Sequence, residues 1–95
     1  MAIETFDTAE DEGRYLAWVA AHPDGFVVNT TRPKPNPNEL VLHLGRCHTI
    51  SELQVDKERF TGGSYQKVCS LRWGELQVWA ERVGGKLQPC SFCEP

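Results

Sequence analysis

Apolar residues change their period along this chain. Between Thr8 and Ala21, Leu16, Val19 and Ala20 recur at helical spacing, and Tyr15 and Trp18 widen the same face. Thr8 can cap that helix, with Asp11 three residues on in a capping-box position, while Glu10, Asp11 and Glu12 suit its positive end. His22-Pro23-Asp24-Gly25 ends it, because a residue before proline avoids helical geometry. The period then shortens. Phe26 to Thr30 is rich in β-branched residues and predicts a first strand. Leu40 to Leu44 predicts a second, in which Leu40, Leu42 and Leu44 point one way and Val41 and His43 the other. Ser64 to Cys69 predicts a third. The helical period returns from Leu71 to Val83, where Leu76, Trp79, Ala80 and Val83 form one stripe behind a Ser70 cap. Gly84-Gly85 closes this second helix.

Two stretches fit neither period. Thr31 to Asn38 carries three alternating prolines, Pro33, Pro35 and Pro37, which cannot supply a hydrogen-bonding ladder. It reads as an extended, stiff loop. Thr49 to Phe60 is ambiguous: Ile50 and Leu53 suit a helical turn, whereas Leu53, Val55 and Lys57 alternate like an edge strand. Thr61-Gly62-Gly63 is a turn. Clustered strands flanked by helices predict a small α+β domain. The expected sheet is three-stranded and mainly antiparallel, in the order 2-1-3. Both helices are expected on one of its faces, through Leu16, Val19, Leu76, Trp79 and Val83.

Length adds that residues 1–95 make one domain with a modest core, which a metal or other staple would reinforce. No apolar run approaches the roughly 18 residues of a membrane span. The first residues lack the basic and apolar regions of a signal peptide, so a cytoplasmic protein is expected. The net charge of −3 is unevenly spread. Five acids fall in the first twelve residues, whereas from Gly25 to Arg72 seven bases face four acids. That imbalance permits a basic face. Arg32, Lys34, Arg46, Lys67 and Arg72 are its candidate phosphate-binding residues.

The sharpest chemistry is in the cysteines. Cys90-Ser91-Phe92-Cys93 forms a Cys-x-x-Cys pair, and Cys47 and Cys69 lie upstream. In a reducing compartment such a set is read as metal ligands or thiols before disulfides. The expectation is one structural Zn²⁺ held by Cys47, Cys69, Cys90 and Cys93, tying the C-terminal segment to the core. In the order 2-1-3, the second and third strands are parallel, so Cys47 and Cys69 reach the same end of the sheet. Six extended residues from Gly84 to Pro89 span about 20 Å, enough to return along the second helix. His48 is a substitute ligand for either separate cysteine. Other readings stay open: Cys69 as a buried small hydrophobe, unmetallated thiols, disulfides, or a redox pair at Cys90 and Cys93. The redox reading lacks the following helix that would lower the thiol pKa.

No phosphate loop, H-E-x-x-H or G-x-S-x-G motif is present. Asp56, Lys57 and Glu58 only faintly suggest a nuclease cluster. His43 is a candidate general base set against a structural histidine. Several segments together look like a family of small uncharacterised bacterial modules: Gly25-Phe26-Val27-Val28-Asn29-Thr30, Leu40-Val41-Leu42-His43, Cys47-His48-Thr49-Ile50, Gly63 to Cys69, and Pro89-Cys90-x-x-Cys93. The resemblance implies that the cysteines act together. It also implies a nucleic-acid or defence context, beside restriction-type nuclease domains, and assigns no chemistry to any residue. The leading expectation is a non-catalytic binding module with a zinc clamp and a protein partner, with no small-molecule cofactor. Next stands a nucleic-acid-binding accessory module in a bacterial defence or restriction context, and last an enzyme centred on His43.

Overall fold

A computed structural model describes residues 3–47, 50 and 65–93. The strand at its centre is β2 (Phe26–Thr31), and it is apolar on both sides. Val27 and Val28 are both fully buried, which requires cover on both faces of the sheet. β2 pairs antiparallel with β3 (Val41–Leu44) and with β4 (Tyr65–Ser70). These are the predicted first, second and third strands, and β2 lies between the other two as expected. Two short edge strands make the sheet five-stranded. β1 (Glu4–Phe6) runs antiparallel to β4, and β5 (Gln88–Pro89) runs parallel to β3, giving the order β1-β4-β2-β3-β5. The expectation of three strands is therefore corrected. Runs of three and two residues are too short to display a period of two.

The register sorts the side chains. Val27 lies between His43 and Cys69, and with Val41, Lys67 and Phe6 these point to one face. Val28 lies between Leu42 and Val68 on the other. α1 (Glu12–Ala21) covers the first face, where Tyr15 and Val19 pack with Phe6, Val27, Cys47, Ile50, Cys69 and Cys90. α2 (Trp73–Val83) covers the second through Leu76 and Ala80, flanked by Trp79 and Val83. The helices thus sandwich the sheet rather than share a face. The physical reason is the double burial of β2 and β4, which one layer of helices leaves half exposed.

Both helices end where expected, at Ala21 and Val83, but start later, with Asp11 and Arg72 at their N-caps in place of Thr8 and Ser70. Thr8 begins a 3-10 turn (Ala9–Asp11) ahead of α1. The Asp11 carboxylate reaches back to accept from Thr8 Oγ1 at 3.0 Å and from the Asp7 and Thr8 N–H groups. The Thr8 hydroxyl, followed by those backbone groups and Arg14, holds the Asp11 carboxyl below its ordinary pKa despite opposing desolvation. Ser70 Oγ accepts from the Arg72 N–H at 3.0 Å and donates to Glu75, tightening the entry to α2. Gly84 ends α2 with φ +94°, in the left-handed region where a Cβ is costly.

A candidate metal centre at the sheet edge

Four side chains that could ligate a metal ion converge where β3 and β5 end. Each arrives by a local rule. His43 points to the α1 side because it alternates with Leu42. Gly45 then turns the chain, and the Cys47 N–H donates to the Leu44 carbonyl at 2.9 Å, which folds Cys47 back beside His43. The turn lies against the end of α1. Gly45 and Arg46 donate to the Gly25 and Pro23 carbonyls, and a Cβ on Gly45 would clash with the His22 carbonyl oxygen. Only glycine permits that approach. On the other strand, Gln88 and Cys90 donate to the Leu40 and Leu42 carbonyls at 2.8 Å, setting Cys90 level with His43. The turn after Cys90 brings Cys93 within 3.3 Å of the Leu44 N–H.

The ligand atoms of His43, Cys47, Cys90 and Cys93 all lie within 4.8 Å of one another. Cys47 Sγ and Cys90 Sγ are 3.9 Å apart. A tetrahedron with metal–sulfur bonds of about 2.3 Å has sulfur–sulfur edges of about 3.8 Å. A disulfide instead requires about 2.05 Å, and none of the four cysteines forms one. Three of the ligand residues are buried and Cys93 is half-buried. The N–H groups of Phe92 and Leu44 donate to the sulfurs of Cys90 and Cys93, each at 3.3 Å. Burial opposes charging Cys90, but the backbone groups of Cys93 and Phe92 and the neighbouring thiols outweigh it, so its pKa lies below the ordinary thiol value. For Cys93, burial dominates over the Leu44 hydrogen bond and, with the neighbouring cysteines, pushes the pKa up to about 11. A soft divalent ion would draw out these protons, since coordination deprotonates a thiol outright. The donor set, three sulfurs and an imidazole, is one that structural zinc uses.

The structure brings Cys47, Cys90 and Cys93 together and leaves Cys69 outside the group, with His43 in its place. Cys69 is fully buried in β4, on the same face as His43 but two strands away, about 10 Å at ordinary strand spacing. Burial, reinforced by Glu4 and eased by Lys67, pushes its thiol well up, as for a small hydrophobe. His48, the expected substitute ligand, lies outside the described residues, as do Asp56, Lys57 and Glu58. A signal for His43 did exist. It precedes Cys47 by four residues across a glycine turn and points away from the leucine face of its strand.

The candidate phosphate-binding bases do not converge. Lys67 is buried, donates through Nζ to Asn29 Oδ1 at 2.7 Å and lies 5.9 Å from the centroid of the Tyr15 ring. Arg32 and Lys34 follow the end of β2. Arg46 and Arg72 follow β3 and β4 at the opposite end of the sheet, about 17 Å away at the usual rise per residue. Arg46 is paired with Asp24 on the surface. Among the described residues, no helix is long and apolar enough to cross a membrane. Comparison with protein-family models, curated proteins and solved structures finds no match to this chain.

Proposed function

We propose that this chain is a small non-catalytic binding module clamped by one structural Zn²⁺, held by His43, Cys47, Cys90 and Cys93. The convergence of four ligand atoms within 4.8 Å at the β3–β5 edge carries this reading. Four protein ligands complete a tetrahedron and leave no position for a water or substrate, which is the arrangement of structural rather than catalytic zinc. As a ligand, His43 is not available as the general base of the enzyme reading. Three thiolates and one neutral imidazole around Zn²⁺ give a net charge of about −1, which adds nothing to a phosphate-binding surface. The nearby Arg46 already faces Asp24. Metal analysis of the purified chain tests the reading. One zinc per chain is expected, and replacement by Co²⁺ should give the intense visible absorption of tetrahedral cobalt with sulfur-to-metal charge transfer. Purified protein with substoichiometric metal that does not take up Co²⁺ rules it out.

A further inference from the structure

The geometry points to a peroxide-responsive step at this centre, in which an organic hydroperoxide oxidises Cys90, Cys47 closes a disulfide onto it, and the metal leaves. The inference rests on the metal reading above. Two observations carry it. First, Cys47 Sγ and Cys90 Sγ, on buried residues, are in contact at 3.9 Å, so the pair needs a shift of about 2 Å to reach disulfide length. Second, a depression of about 350 Å³ beside β5 opens onto Cys90 and His43, between Val41, Pro89 and Phe92. Cys47, Cys93 and Cys69 do not line it. Cys90 is otherwise only 6% exposed, so this depression is its approach from solvent. The walls are largely apolar, and Phe92 stands 71% exposed at the rim. Such a surface favours a hydroperoxide with an organic group over hydrogen peroxide.

The chemistry balances. The Cys90 thiolate attacks the terminal oxygen of the hydroperoxide. The O–O bond breaks, Cys90 becomes a sulfenic acid, and the alkoxide takes a proton to leave as an alcohol. The Cys47 thiolate then attacks the Cys90 sulfur and expels hydroxide, which takes a second proton to become water. Two thiolates have supplied two electrons to one hydroperoxide. With two of its four ligands gone, the metal dissociates. The new bond joins the same two segments that the metal joined, so the 86–93 segment stays tethered through the oxidised state. A dithiol reverses the step by exchange, and the metal site re-forms.

The test uses the full, zinc-loaded chain with cumene hydroperoxide and, separately, hydrogen peroxide. A chromophoric chelator follows zinc release, and peptide mapping under non-reducing conditions locates the disulfide. The expected result is one zinc released per hydroperoxide consumed and a Cys47–Cys90 disulfide, with Cys69 still reduced. Cumene hydroperoxide should react about tenfold faster than hydrogen peroxide, the scale that a few apolar contacts provide. Phe92→Ser should slow the organic oxidant alone. A Cys90–Cys93 disulfide, a product containing oxidised Cys69, or equal rates for the two oxidants overturns the inference while leaving a zinc-bound chain intact. A chain that never holds zinc yet forms the Cys47–Cys90 bond defeats the metal reading and the release step, and leaves the thiol pairing standing.

Discussion

His43 and Cys69 share a face of the sheet on either side of Val27, and only His43 meets Cys47, Cys90 and Cys93. The difference is lateral position. β3 is next to the strand that delivers Cys90, whereas β4 is two strands further in. His43→Ala should therefore weaken zinc binding on the order of a hundredfold, about a quarter of the roughly 10–16 kcal/mol that such sites supply. His43→Cys should keep one metal and raise the number of thiolates, visible as a stronger charge-transfer band with Co²⁺. Cys69→Ala should leave the metal content unchanged and cost only about 0.5–3 kcal/mol in denaturant unfolding, as an ordinary core change does. Loss of zinc from Cys69→Ala, with the chain still folded, would sink the assignment. Three members of the cluster are legible in the sequence because cysteine is chemically distinctive. The fourth was hidden because a mid-strand histidine is ordinary until the Gly45 turn is known to return Cys47 to it. Gly45 itself tests that turn. Gly45→Ala would drive a methyl against the His22 carbonyl and should destabilise the fold by about 1–3 kcal/mol.

At the scale of elements, the stripe read from the sequence on α2 is the packed one, yet its members are unequal. Leu76 and Ala80 are buried, while Trp79 and Val83 flank them half-buried. Leu76→Ala should cost about 2–5 kcal/mol by thermal or urea unfolding. Val78→Ser, on the exposed side of the same helix, should stay within about 0.5 kcal/mol. Equal losses at the two positions would reject this orientation of α2. The three central strands and both helices were legible because each spans enough residues to show its period. β1 and β5 were not. Their pairing comes from what they lie beside, and β5 is held by the Gln88 and Cys90 N–H groups rather than by any pattern of its own. The helical stripes alone do not show that the helices lie on opposite faces. Val27 and Val28 in succession, followed by Val68 and Cys69 in β4, are the residues that decide it. Pro89 adds a negative device, since an edge strand with a proline offers one donor fewer to another chain.

Across the whole molecule, the metal would connect parts of unequal stability. β2, β3 and β4 pair over long ladders between two layers of helix. In the 86–93 segment the Gln88 and Cys90 N–H groups donate to β3 carbonyls, each bond worth about 0.5–1.5 kcal/mol. Leu87 and Cys93 in that segment are only partly buried, so coordination, which is folding energy in such sites, would supply much of what holds it. Removing the metal with a chelator under reducing conditions should therefore release this segment before the sheet. Hydrogen exchange followed by NMR reads the difference. The Gln88 and Cys90 amides should lose protection while the ladder between β2 and β4 keeps most of its own. Unchanged protection at Gln88 and Cys90 in metal-free protein would show that the segment holds without the ion. Simultaneous loss across every strand would make the ion part of the global fold, and the local clamp would be the wrong description.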